Sequence, residues 1–542
     1  MSKQITWLAI LSIAGSILSV GSIIGADTQT SESPLGNVVK DFTLSSHRGR
    51  ELALADLADK KAVAIVFLGT ECPLAKLYAS RLSDIEAEFS EKGLAVVGIN
   101  ANTQDSMTEI TAYVERHKVS FPILKDVGNR VADALGAERT PEVFLLDAQR
   151  TVVYHGRIDD QYGVGFAREK VTRRDLAVAV EELLAGETIS QPRTEVVGCF
   201  IGRTKTVEQT GDVTYSNQIA RIFNKRCVEC HRSGEVAPFT LTSYEDTIGW
   251  EDTILEVISD NRMPPWFANP KHGEFSNDAR LSREEKQLIR TWVANGMPEG
   301  NPSQLPPPPE FTEGWRMPEP DEVFHMDEKP FSVRSDGVVD YQYYMVDPEW
   351  TEDKYIWAAE ARPENPAVVH HIIAYLMLPN QRHHDFQRGT MLAAYAPGSP
   401  PRMLKDGVAV HAPAGSKILF EMHYTPNGSK QLDRSYVGFK YMDKADVKKK
   451  LRGRMAIETS FRIPPNTSDH VVTADYRSTR DELLLQMSPH MHLRGKSFRY
   501  EAIYPDGEKE VLLDVPAYDF NWQLAYRLAE PKLIPKLSLI HI

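Results

Sequence analysis

Four cysteines in 542 residues are too few for a disulfide-built scaffold. The chain also lacks a basic surplus. Its net charge of −13 leaves no excess of Lys and Arg to neutralise phosphates, which excludes a general nucleic-acid-binding surface. No short-period repeat is present. Hydrophobic content of 42% and charged content of 25% are ordinary for globular protein. The length exceeds what one core supports, and three or four domains are expected.

The stretch from Ile5 to Ala26 follows Lys3, carries no charge, and ends on the small pair Gly25–Ala26. It reads as a secretory signal, with an uncleaved membrane anchor (residues 1–26) as the alternative. Both place the remainder outside the cytoplasm, periplasmic or anchored and facing outward.

Three compositional zones follow. The continuous apolar, β-branched run Ala62–Leu68 has the pattern of a buried parallel strand. After Cys72–Pro73, Leu74, Leu77, Tyr78, Leu82, Ile85 and Phe89 recur at helical spacing. A second buried strand is expected at Leu94–Ile99, a helix at Met107–His117, a strand pair at Glu142–Leu146 and Val152–His155, and a closing helix at Leu176–Leu184. Alternating strands and helices give an α/β sheet over residues 36–200. Residues 212–300 read as helical. Ser282 and Glu285 make a capping box, Leu288, Ile289, Trp292 and Val293 share one face, and Gly296 ends the helix. Pro302–Glu310 lies in a proline-rich linker (301–316). Beyond it, short alternating runs such as Ile418–Tyr424 and Leu483–Met487 read as all-β.

Cys227–Val228–Glu229–Cys230–His231 is a C-x-x-C-H motif. Two thiols at that spacing add to haem vinyl groups, and the adjacent imidazole supplies an axial nitrogen, so a covalently bound haem c is expected. Met263, in Met263–Pro264–Pro265–Trp266, is the candidate sixth ligand, with Met297 the alternative. The segment resembles the cytochrome c fold. Cys72, after a buried strand and at a helix start, sits where the helix dipole favours thiolate. The order of elements, Cys72 and Thr140–Pro141 resemble the thioredoxin-like redoxin and peroxiredoxin (AhpC/TSA-like) families. That resemblance implies a cis-proline beside the active cysteine. The chain departs from both patterns: Cys72–Pro73–Leu74–Ala75 has no second thiol, and Gly69 stands three residues before Cys72 where peroxiredoxins carry Thr or Ser. Cys199 is the candidate distant resolving partner.

Most of the 16 histidines lie beyond residue 310. In a strand, His490-x-His492 would put both rings on one face. The adjacent pair His370–His371 cannot share a face on a flat strand and calls for a bend or bulge. All-imidazole sets suit copper, zinc or iron. The set resembles the copper type II, ascorbate-dependent monooxygenases of the peptidylglycine-hydroxylating type, with two jelly-roll domains. The resemblance implies one copper at His370, His371 and His423, and a second at His490, His492 and a methionine that this sequence does not supply. It also implies an electron donor such as ascorbate or a redox protein and a small-molecule or peptide substrate. His383, His384, His411 and His470 have no partner at ligand spacing. Leu537–Ile542 look like a translated sequencing adaptor, so the second β domain (451–542, after 317–450) is expected to be truncated and poorly ordered after about Lys450.

The expected architecture is therefore thioredoxin-like α/β, then all-α cytochrome c-like, then an all-β jelly-roll pair with the second incomplete. The expected function is an exported oxidoreductase in which haem and copper serve a monooxygenase-like module. The alternatives are thiol–disulfide or peroxide chemistry at Cys72, and a non-catalytic electron-transfer or copper-binding protein.

Overall fold

The computed structural model describes residues 33–204, 208–312, 314–381, 390–398 and 400–542. The apolar Ile5–Ala26 stretch and His383–His384 lie outside the described residues. Among the described residues, no helix is long and apolar enough to cross a membrane.

The N-terminal part is a seven-stranded mixed sheet. Its strands are β1 (Thr43–Ser46), β2 (Glu51–Ala53), β3 (Ala62–Phe67), β4 (Leu94–Asn100), β5 (Ile123–Lys125), β7 (Glu142–Leu146) and β8 (Val152–Gly156); the short β6 (Arg139–Thr140) runs into β7. The spatial order is β2-β1-β5-β4-β3-β7-β8. β3 pairs parallel with β4 and antiparallel with β7. All six residues of β3 are buried, because both sheet faces are covered. Ala62, Ala64 and Val66 pack under α1 (Pro73–Phe89), α2 (Met107–His117) and α4 (Asp175–Ala185). Val63, Ile65 and Phe67 face α3 (Arg130–Leu135) on the other side. The doubly covered strand is the physical reason for the unbroken apolar run.

Residues 208–312 form helices with no strand of their own among those described. These are α5 (Ala220–Arg226), α6 (Glu251–Ser259) and α7 (Arg283–Ala294), gathered around Phe223 and the fully buried Trp292. The Ser282–Glu285 capping box forms in both directions, and Gly296 follows with φ 78°.

The rest is β. A sheet containing Glu322–His325, Lys354–Arg362, Val408–Ala412 and Tyr436–Tyr441 lies over a four-stranded sheet of Gln342–Val346, Lys417–Tyr424, Val369–Met377 and Thr390–Tyr395. One apolar cluster draws on both sheets, including Ala359, Ile372, Phe420 and Phe439, and makes them a sandwich. Residues 475–542 add a four-stranded and a two-stranded sheet. Their core, with Leu513 and Tyr526, is completed by Trp266 from the helical segment. This corrects the expectation of disorder after Lys450. Leu539–His541 pairs with both Asp475–Arg477 and Phe498–Ile503, so the closing residues are integral to that sheet. Residues 452–474 are the longest strand-free stretch of this region, and Met455, Ile457, Phe461 and Val471 are exposed there.

Candidate active site and metal centre

Cys72 is the N-cap of α1, with Pro73 at the first helical position, and is 1% exposed. Its thiol donates to the Thr140 carbonyl at 2.9 Å. The loop before it is pinned by buried Asp105, which accepts from the Thr70 N–H at 2.9 Å, Asn100 at 2.6 Å and Asn102 at 3.0 Å. Thr140–Pro141 is cis, as the thioredoxin-like resemblance implied.

Cys199 arrives from far along the chain. With Phe200 it forms a short strand that pairs antiparallel with β6, placing Cys199 opposite Thr140 and against Cys72. Burial alone would raise the Cys72 pKa. Hydrogen bonds from the Cys199 thiol and from the Cys199 and Ala75 backbone outweigh it and bring Cys72 down to about 6. The Cys199 thiol, hydrogen-bonded to Cys72 and partly desolvated, is held well above its ordinary value. The pair is thus divided into one thiol poised to ionise and one that keeps its proton.

The other two cysteines sit at the end of α5. Cys227 is its C-cap and packs into the helical core, while Cys230 faces a cleft. Burial first, then the neighbouring thiol, pushes Cys227 up to about 12. Burial and then Glu229 and Glu235 push Cys230 up to about 11. His231 Nδ1 lies 3.0 Å from the Phe239 carbonyl, which can only accept, so this nitrogen carries the proton and Nε2 keeps its lone pair. Two protonated thiols beside an imidazole fixed in that tautomer are a donor set that fits covalent haem. Met263 lies in the turn after α6, and the prolines following it line the same cleft as Cys230.

His370, His371 and His423 converge. They lie on neighbouring antiparallel strands, with His371 opposite His423. The register slips between Val369 and His371, which is the bulge that adjacent histidines require to face one point. One ligand nitrogen from each lies within 4.8 Å of the others. His370 Nε2, His371 Nε2 and His423 Nδ1 are buried without a hydrogen-bond partner. Burial first and then neighbouring imidazoles push His370 and His371 down to about 3 and His423 to about 2, so all three are neutral. Three neutral imidazoles with orphaned nitrogens fit a borderline-soft cation.

His490 and His492 are in a loop, not on a strand, which corrects the strand expectation. Proline at 489 and the turn at 493–494 end the pairing there. Their rings still lie 5.2 Å apart, and His490 Nδ1 is 2.8 Å from Gln523 Oε1. Among the described residues, no His, Cys, Asp or Glu completes a three-member group with them. Tyr341, which spacing did not reveal, stacks on His423 at 4.7 Å and on His492 at 6.0 Å. Phe520 contacts His370, His423 and His492. Glu421 is buried with Oε1 3.9 Å from His371 Nε2. His411 is a surface residue bonded to Asp353 at 2.7 Å.

Residues 35–155 match the family model described as AhpC/TSA family. Residues 35–155 are an AhpC/TSA thioredoxin-like redoxin domain. The thiol-disulfide oxidoreductase ResA of Halalkalibacterium halodurans is 29% identical over 118 residues, covering 22% of this chain and 65% of that relative, just short of two thirds. Peroxiredoxin Q, chloroplastic, of Sedum lineare is 27% identical over 135 residues, covering 23% of this chain and 71% of the relative. Among solved structures, a hypothetical protein of Sinorhizobium meliloti is 34% identical and matches 31% of this chain and 94% of its own length, with a TM-score of 0.30.

Within the AhpC/TSA domain, the Gly69 departure has a steric cause. A Cβ there would meet Asn102 Nδ2 at 2.6 Å and Thr140 Oγ1 at 3.1 Å, so the space that a threonine would fill is taken. Gly198 controls the approach of Cys199. Its φ is 148°, and a Cβ would stand 1.9 Å from the Thr140 carbonyl oxygen, a backbone atom that cannot rotate away. Gly198→Ala is expected to cost about 1–3 kcal/mol, read by denaturant unfolding, and to slow Cys72–Cys199 disulfide formation, read by mass spectrometry of trapped thiols.

Proposed function

We propose that the chain is a thiol–disulfide oxidoreductase acting through Cys72 and Cys199. The observation that carries this reading is the meeting of these two cysteines across Thr140, with their acidities driven apart. The Cys72 thiolate attacks one sulfur of a partner disulfide, forming a mixed disulfide and releasing one partner thiolate, which takes up a proton. Cys199, on losing its proton, attacks the Cys72 sulfur, forms the Cys72–Cys199 disulfide and releases the second partner thiol. Two electrons pass to the partner. Cys72 is covered, so the Cys199–Phe200 strand lifts from β6 for exchange to begin; that pairing is only two residues long. The relatives named thiol-disulfide oxidoreductase and peroxiredoxin support the class of chemistry. The missing hydroxyl at Gly69 favours disulfide over peroxide as the oxidant. Mild oxidation of the full chain with a small disulfide and peptide mapping should give Cys72–Cys199 as the main bond. A main product pairing Cys227 with Cys230 would overturn the assignment.

The convergent histidines favour a second reading for the chain beyond the thioredoxin-like part. His370, His371 and His423 would hold copper, with His490 and His492 nearby, and Cys227, Cys230 and His231 would hold haem c, with Met263 a candidate further ligand. Both groups supply single-electron transfer when bound. The chain's own part is to keep the imidazoles neutral, fix the His231 tautomer through Phe239, and bury both sets against aromatic side chains. An exported location with a donor such as ascorbate fits this reading. Export alongside a haem-attachment system should give a covalent haem that survives denaturation, and Cys227→Ala with Cys230→Ala should abolish it. A denaturation-resistant haem band in the double variant would exclude this motif.

A further inference from the structure

The cleft between the helical segment, the sandwich and the last β layer has a volume of about 1710 Å³. Its floor is the outer face of the strand Val369–Met377, from which His371, Ile373 and Tyr375 point into it in alternation. At about 3.3 Å per residue, His371 and Tyr375 are roughly 13 Å apart. Tyr375 is paired with Met391, and the Met391 carbonyl accepts from Arg402 Nη1, as does that of Leu392 at 3.1 Å. Arg527 also lines the cleft, and its Nη2 donates to the Pro400 carbonyl at 2.9 Å and the Pro401 carbonyl at 3.3 Å. Both guanidiniums are therefore held by backbone carbonyls, Arg402 on the strand Thr390–Tyr395 and Arg527 on the prolines next to Arg402, each through a single terminal nitrogen, leaving the rest of each fork. Neither forms an ion pair with a carboxylate among the described residues.

Burial and then the charge of Arg527 lower the Arg402 pKa to about 10, and burial and then Arg316 lower that of Arg527. A bidentate anion between them would remove that repulsion and satisfy the free N–H groups. The other end of the floor is different. Glu421 lies beside His371 and disfavours an anion there. Between the ends the wall is apolar, made by Ile373, Tyr375 and Met391.

We propose that this cleft binds an amphipathic monocarboxylate, its carboxylate on Arg402 and Arg527 and its apolar body over Ile373, Tyr375 and Met391, reaching toward His371. The assignment rests on the arginine pair and the apolar floor and is independent of what the histidines hold. A saturated ten-carbon chain matches the span.

The test is isothermal titration of the full chain with decanoate, decanol and decyltrimethylammonium. Decanoate should bind at least tenfold more tightly than either of the others. Arg527→Gln should reduce that preference at least fivefold. The ligand series is run on the unaltered protein, so a folding defect in the variant does not remove the test. Repeating it after chelator treatment separates the arginine pair from a carboxylate bound to metal at the histidines: the preference should persist. Equal affinity for the three ligands, tighter binding of the cation, or loss of the decanoate preference with the metal would each overturn the proposal.

Discussion

Cys72→Ser should abolish the proposed disulfide exchange by the full chain, a loss on the order of 10³-fold or more, because Cys199, the thiol beside it, holds its proton and is a poor first attacker. The measurement is the rate at which the reduced protein opens a peptide disulfide, with the peptide products followed by mass spectrometry. Cys199→Ser has a different signature: the first step survives, and a Cys72–peptide mixed disulfide accumulates. A Cys72→Ser protein that keeps most of its rate would end the thiol–disulfide assignment. The pH profile adds an independent reading. With Cys72 near 6, its alkylation rate should level off above about pH 7, while that of Cys199 should still be rising at pH 9.

The same shifts set how the reduced protein's stability follows pH. Cys72 ionises more easily folded than unfolded, where a thiol titrates near about 8.5. Its contribution is complete above the unfolded value and is lost as pH falls through about 6. Cys199 holds its proton more tightly in the fold, so it lowers stability once pH rises past the unfolded value. Urea midpoints of the reduced chain should climb from pH 6 toward 8.5 and then fall. Oxidation to the Cys72–Cys199 disulfide should remove the Cys72 and Cys199 contributions and leave only the fall above the unfolded value that Cys227 and Cys230, also held protonated, supply.

His423→Ala removes one of three converging ligands and should weaken copper binding by at least about 100-fold. Copper at 100 times its dissociation constant should stabilise the unaltered chain by about 2.7 kcal/mol, and the variant by far less. His411→Ala serves as the control, because His411 is tied to Asp353 on the surface and should leave copper binding unchanged. Without metal, His423→Ala should be close to neutral in stability: it deletes a buried nitrogen that has no hydrogen-bond partner, which offsets the lost packing. Retained tight copper in His423→Ala would exclude the three-histidine site.

Much of the local structure was legible because it is written in local periodicity. The apolar run at Ala62–Leu68 becomes β3, and the helical spacing after Cys72 becomes α1. Met107–His117 is α2 from end to end. The adjacent pair His370–His371 forced a bulge because two neighbouring side chains cannot point the same way on a flat strand, and the register slip is there. Where patterning was read too far, a local breaker had the last word. Pro489 takes His490 and His492 out of the strand, and their proximity is kept by a loop. The expected disorder after Lys450 failed for a long-range reason: Trp266, from the helical segment, fills the core of residues 475–542.

By itself the sequence determined the α/β, helical and β zones, the thiol at a helix start, the haem-type motif and the residue types of the histidine set. These depend on side-chain period and on neighbours within a few positions. Only the tertiary structure decided that Cys199 meets Cys72, that Glu421 and Tyr341 lie beside the histidines, and that Arg527 is bonded to the two prolines next to Arg402. Each of those pairings joins residues from separate elements, and sheet register and domain packing, rather than spacing along the chain, set their distance.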